Sequence, residues 1–143
     1  MRQAWRTSSF RTRTPSAAEA RALGLASSEV AKTLVLRTPL GYVRVVIAAS
    51  DRLDIRKVRE SVGGGQRVHL ASEGDLARVY PEFELGAVPP FGGARRERVL
   101  IDRRVAERDW LVLEAGSHDE SIRLNTADLV RLTEADVADF CKE

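Results

Sequence analysis

Few side chains in this chain could do chemistry. It has two histidines, one cysteine and, among 23 basic residues, three lysines: Lys32, Lys57 and Lys142. Lys32 stands at the start of the apolar stretch Thr33-Leu-Val-Leu36, where a lysine is seldom buried without a partner. Such a cation is either a stem snorkelling from a strand end or a charge kept for a ligand. A second feature is the aperiodic stretch 81–96, which holds Gly86-Ala-Val-Pro-Pro90. Glycine permits close backbone approach and prolines stiffen a loop, so N–H groups there can be fixed toward a ligand, although a rigid connector would have the same composition. The third is Ala115-Gly-Ser-His118, small residues at a strand end that deliver a histidine into a loop as catalyst, ligand or surface group.

Other chemistries find no support. Gly63-Gly64-Gly65 follows a helical stretch and lacks the Gly-Lys-Ser/Thr of a P-loop. Gly116-Ser117 lacks the Gly-x-Ser-x-Gly spacing of a nucleophile elbow. Two histidines and one cysteine at no ligand spacing exclude a zinc site without carboxylates. His69 alternates with Val68 and Leu70 and reads as a structural or surface residue; Cys141 reads as a frayed or packing residue.

The elements that must position these groups can be read from patterning. Residues 1–15 are polar, basic and aperiodic, an arm or weak edge strand, and 16–143 form one domain. A helix is expected over 16–24, started at Thr14-Pro15-Ser16 and ended by Gly24, with a short helical turn at 27–29. Strands are expected at 33–37 and 42–49 about the turn Pro39-Leu40-Gly41, a helix over 51–62, and a strand at 66–71. Ser72 caps a helix that Pro81 stops. Strands follow at 98–102, 110–114 and 120–124, then a helical turn at 126–130 and a last helix opened by Thr133-Glu134 and carrying Val137 and Phe140. Strands and helices interspersed in this way predict an α/β (α+β) domain with a mixed sheet flanked by helices.

Composition bounds the function. At 43% hydrophobic and 31% charged, 143 residues suit one globular core that buries roughly 70% of its unfolded surface. No apolar run approaches membrane-spanning length, and the start has charge with no apolar core behind it, so the expected location is the cytoplasm without membrane contact. A net charge of +2 is too even for coating nucleic acid, yet it allows local basic patches. Arg2, Arg6, Arg11 and Arg13 form one, and Arg95, Arg96 and Arg98 with Arg103 and Arg104 another; each suits either phosphate contact or a solvated surface.

Taken in order, these pieces resemble one family. Ala31-Lys-Thr-Leu-Val35 is similar to the Lys-Thr-Leu-Val strand of the YbaK-like aminoacyl-tRNA deacylases, relatives of the editing domain inserted in bacterial prolyl-tRNA synthetases. Ser16-Ala-Ala-Glu-Ala-Arg-Ala-Leu-Gly24 resembles the helix before that strand, and Gly86-Ala-Val-Pro-Pro90 the Gly-x-x-x-Pro loop. Glu114-Ala-Gly-Ser-His118, Ser121-Ile-Arg123 and Asp128-Leu129 resemble the C-terminal strand and closing helix, so the match runs over about residues 16–135.

The resemblance implies an ester hydrolase that removes a wrong amino acid from the 3′ end of tRNA in trans, with no cofactor or metal. Such editing is needed because binding separates similar small amino acids by only about 1–3 kcal/mol per methylene. It also implies roles. Lys32 holds the terminal adenosine or the ester, N–H groups about Gly86, Ala87 and Val88 hold the carbonyl or its oxyanion, and His118 positions the amine or water. Thr33, Val88, Pro90 and Gly116 line the substrate site, and Arg95, Arg96 and Arg98 meet acceptor-stem phosphates, with a synthetase allowed as second partner. On this reading Lys32, Gly86 and His118 converge on one concave pocket. The residues also leave open a non-catalytic module that binds tRNA or a synthetase, and a small-molecule hydrolase or nucleotide-binding protein with the same pocket.

Overall fold

The computed structural model describes residues 11–12, 30–92, 97–114, 116 and 121–143. β1 is Arg11–Thr12, β2 Ala31–Thr38, β3 Gly41–Ala48, β4 His69–Leu70, β5 Arg98–Asp102, β6 Trp110–Glu114, β7 Ser121–Asn125 and β8 Asp136–Ala138. The helices are α1 Ile55–Val62, α2 Glu73–Val79, α3 Arg103–Ala106 and α4 Thr126–Thr133. The main sheet has the order β4-β2-β3-β5-β8, antiparallel at β4/β2/β3 and parallel at β3/β5/β8. A second, antiparallel sheet has the order β1-β7-β6 and joins the first through the parallel bridge Val30–Val112.

β2 and β3 are β-branched runs joined by a tight turn in which Thr38 Oγ1 accepts from Leu40 N–H and donates to Gly41 C=O. β3 is the middle strand and is buried from Val43 to Ala48. Its two faces, with those of β2 and β5, set up separate cores. Ala31, Val46, Ala48, Val99 and Ile101 pack against Leu111, Leu113, Leu124 and Leu129 of the second sheet and α4. Leu36, Val43, Val45, Ile47 and Leu100 pack against Val58 of α1 and against Phe140 and Cys141 near the C-terminus.

The expected mixed sheet and its main hairpin are present, and several boundaries move. β2 begins at Ala31, which puts Lys32 inside the ladder. The helix expected over 51–62 begins at Ile55, because Asp54 caps it by accepting from Arg56 N–H at 3.0 Å. Residues 52–54 before it serve the C-terminal segment: Asp54 N–H donates to Phe140 C=O at 2.8 Å, Lys142 N–H to Arg52 C=O at 2.8 Å, and Leu53 bridges to Cys141. The strand expected at 66–71 is a 3-10 turn, Gly65–Arg67, followed by two strand residues. α3 follows β5 without a gap because Asp102 caps it through Arg104 N–H. The last helix is a correction. α4 runs through to Thr133, Glu134 takes a left-handed φ of +53°, and the chain then adds β8 to the free edge of β5. A non-local partner, the edge of β5, overrides the local helix pattern of Val137 and Phe140. The expected helices at 16–24 and 27–29 lie outside the described residues, and Arg11–Thr12, inside the expected arm, already pair with β7. No helix among the described residues is long and apolar enough to cross a membrane.

Candidate active site

The site begins with a gap in the outer edge of β2. Val30 C=O accepts from Ala49 N–H at 2.7 Å, so even-numbered residues of β2 face β3 in the ladder and odd-numbered ones turn their backbone groups outward. Ala71 N–H meets one of these, Val35 C=O, at 2.9 Å, where β4 joins; β6 touches the same edge at Val30. Between them no described strand lies beside Thr33, whose backbone N–H and C=O point into the gap.

The 84–92 loop lies on the same side. Val88 packs with Val35, Val79 and Tyr80, which places it over the face of β2 that carries Thr33. Two hydrogen bonds tie the loop to the segment after β6: Glu84 N–H donates to Gly116 C=O at 2.8 Å, and Gly116 N–H to Ala87 C=O at 3.1 Å. Ala87 N–H donates to Glu84 C=O at 3.0 Å, closing a turn whose third residue, Gly86, has φ +81°. A positive φ at that turn position favours glycine. Because a trans peptide points its N–H opposite to its C=O, tying Ala87 C=O to Gly116 turns Val88 N–H away from Gly116. Gly86 and Val88 N–H have no backbone partner among the described residues, and Pro89 and Pro90, both buried, have no N–H to offer.

The far half of the loop is held by Arg44, a residue that is 2% exposed. Its Nη1 donates to Pro89 C=O at 2.9 Å, its Nη2 to Gly92 C=O at 3.0 Å and its Nε to Glu97 Oε1 at 3.3 Å. Its guanidinium carbon sits 4.8 Å from the Tyr80 ring centroid, and Tyr80 Oη donates to the same Glu97 oxygen. Burial pushes the Glu97 carboxyl up and the Arg44 guanidinium down, while their mutual attraction opposes both shifts. Arg44, Tyr80 and Glu97 were not among the residues expected at a site. The signal for Arg44 lay in plain view, as a charge inside the apolar run Tyr42-Val-Arg-Val-Val-Ile47.

The structure gathers some of the expected residues and separates others. Gly86 and Val88 belong to the loop that backbone bonds tie to Gly116, and Val88 packs beside Val35 on the face of β2 that also carries Thr33. Ala87 N–H is engaged in the turn, whereas Gly86 and Val88 N–H have no backbone partner among the described residues. Lys32 corrects the expected convergence. It pairs with Ile47 and shares its face with Leu34, the face covered by α1, whereas Val35 and the 86–90 loop lie on the other. Strand alternation forces this: any residue next to Thr33 must point away from it. Lys32 is half-buried and makes no ion pair or side-chain hydrogen bond among the described residues. Pro90 is buried and acts as a stiffener. Arg98 is exposed, and its Nε and Nη2 are each 2.9 Å from Asp136 Oδ2. His118, Arg95 and Arg96 lie outside the described residues.

One cluster resembles a metal set. Single ligand atoms of Asp51, Asp102 and Cys141 lie within 4.8 Å of one another. Asp102 spends its oxygens on Phe140 N–H and Arg104 N–H, and burial, then Asp102, push the Cys141 thiol up to about 12. A thiol held protonated is a packing group, as expected for Cys141. His69 is exposed on β4, in line with a surface role.

Known proteins resemble this chain in sequence and in fold. The chain is 29% identical over 122 residues to the multifunctional Ser/Thr-tRNA deacylase ProXp-y of Escherichia coli K12, covering 82% of this chain and 72% of that protein. Its fold superposes with a TM-score of 0.83 on a crystallised candidate trans-editing enzyme for prolyl-tRNA synthetase, at 22% identity, over 94% of this chain and 86% of that one. The hypothetical protein APE2540 gives a TM-score of 0.80 at 27% identity, over 92% and 86% of the two chains. A family model described as the aminoacyl-tRNA editing domain matches residues 11–132. With the fold, the anchored Gly-x-x-x-Pro loop and most of the chain inside that match, the protein belongs to the aminoacyl-tRNA editing domain family.

Proposed function

We propose that the gap beside Thr33, roofed by the 86–90 loop, holds the aminoacyl ester of a mischarged tRNA and hydrolyses it there. The activity is that of the family, aminoacyl-tRNA deacylase. The observation that carries the assignment of the site is the loop's accounting of carbonyls. The C=O groups of Glu84, Ala87, Pro89 and Gly92 are all tied to the protein, and Gly86 and Val88 N–H, without a backbone partner among the described residues, are the proposed donors for an incoming oxygen. Water adds to the ester carbonyl carbon and the carbonyl oxygen becomes an oxyanion, held by these two N–H groups. The bond to the tRNA ribose oxygen then breaks, that oxygen takes a proton, and the amino acid leaves as its carboxylate. Fixed donors aimed at the oxyanion stabilise the transition state more than the ester, which is what accelerates hydrolysis.

Lys32, whose side chain starts on the α1 face, would have to reach around the edge of β2 to bind the ester or the terminal adenosine, and it has no ion pair among the described residues to give up. His118 orients the amine or water, and Arg95 and Arg96 meet the acceptor stem. A synthetase is the proposed second partner beside tRNA, and the cytoplasm is the proposed location. The test is amino-acid release from tRNAs charged with Cys, Ala, Ser, Pro and Thr. Release from at least one, reduced by Gly86→Ala, is expected. No release from any would leave the non-catalytic tRNA-binding module as the reading.

A further inference from the structure

We propose that Arg44 is the positioning residue of the oxyanion-binding loop, resting on the reading that this loop holds the ester. Nothing in the reaction needs a buried guanidinium on a central strand, and an apolar residue would fill the position at less desolvation cost. Arg44 is placed where one planar fork reaches three groups far apart in sequence: Pro89 C=O at 2.9 Å, Gly92 C=O at 3.0 Å and Glu97 Oε1 at 3.3 Å. Tyr80 stacks beneath it and binds the same Glu97 carboxylate, so the fork is itself oriented from two sides.

The consequence for the loop is directional. Gly116 fixes the 84–87 half by two backbone bonds, while among the described residues Arg44 alone fixes Pro89 and Gly92 by side-chain bonds. Val88 lies between the two anchors. With Ala87 C=O tied on one side and Pro89 C=O on the other, the Val88 peptide has little freedom to turn, and its N–H stays turned away from Gly116. A lysine keeps the charge, but its single ammonium cannot span both carbonyls and the carboxylate as the fork does.

The experiment compares Arg44→Lys and Gly86→Ala with the unaltered protein by deacylation kinetics, thermal melting and amide hydrogen exchange. Arg44→Lys should lower kcat at least tenfold with KM changed less than threefold, because the loss falls on a contact strongest in the transition state. Exchange at Val88 and neighbouring loop amides should rise at least tenfold more than exchange at Val45 and Val46 in the core. Equal rises in loop and core would make Arg44 a general stabiliser and overturn the inference, as would kcat within twofold of the unaltered protein. Should Arg44→Lys not fold, Glu97→Ala removes one support of the fork and should raise loop exchange at least threefold over the core; no selective rise overturns it too. Gly86→Ala separates the two readings. Full activity there removes the loop from the ester site, whereas lost activity there with normal Arg44→Lys removes only the role of Arg44.

Discussion

Gly116→Ala puts the loop anchor to a quantitative test. Gly116 has φ +101°, and a Cβ built on it would lie 2.8 Å from Cδ1 and 3.3 Å from Cε1 of Phe83. The backbone region costs a non-glycine residue on the order of 1–3 kcal/mol. Forcing a methyl group against a partly buried ring costs about 1–3 kcal/mol more, because the ring must shift within its cluster with Tyr80 and Val88. The sum is on the order of 2–6 kcal/mol, and at about 2–4 °C per kcal/mol for a domain near this size it predicts a Tm loss of roughly 10 °C. The same methyl group displaces the segment that accepts from Glu84 and donates to Ala87, so deacylation should fall even at temperatures where the variant is folded. Melting by circular dichroism and single-turnover deacylation read the two effects. Combining Gly116→Ala with Phe83→Ala should recover the clash but not the backbone strain, so the double-mutant cycle should show coupling above about 1 kcal/mol. A Tm within 2 °C of the unaltered protein, or strict additivity, would refute the reasoning.

Four further outcomes are expected. Lys32→Ala should leave Tm within about 2 °C, since no ion pair among the described residues is lost, yet reduce deacylation on the order of a hundredfold; near-normal turnover by Lys32→Arg would return Lys32 to a snorkelling role on the α1 face. Neutralising Arg95 and Arg96 should flatten the salt dependence of tRNA binding by roughly 0.7–0.9 per lost phosphate contact, whereas Arg98→Gln, engaged with Asp136, should not; the reverse ranking would sink the assignment. Cys141, buried with its thiol pushed up to about 12, should react with iodoacetamide at pH 8 only as fast as the protein opens, and rapid labelling in the native state would contradict the packing role. The Lys57 hydrogen bond, then Cys141 N–H, hold the Asp139 carboxyl below its ordinary value, so its contribution is present above its unfolded pKa, about 3.9, and lost as pH falls through the lower folded one. Asp139→Asn should therefore flatten the acid limb of a denaturation-midpoint profile, and an unchanged limb would show the pair to be idle.

Much of this protein was legible before its fold. The Lys-Thr-Leu-Val strand, the Gly-x-x-x-Pro loop and the hairpin about Pro39 are local signals, because turn chemistry and strand alternation act over a few residues. The mixed sheet followed from the order of such elements. What happens at the termini of elements was decided elsewhere. β8 exists because the edge of β5 was open, and α1 starts late because residues 52–54 bind the C-terminal segment. The site shows the same division. Residue types at Thr33, Gly86 and Gly116 marked the proposed site, but which backbone N–H groups lack a backbone partner among the described residues depended on bonds from Gly116 and Arg44 across 29 and 45 positions of the chain. The register likewise put Thr33 toward the loop and Lys32 away from it, which motif order could not reveal. A motif records which residues are near in sequence. Only strand pairing and burial settle which face they occupy, because a shift of one residue reverses every side chain in a strand.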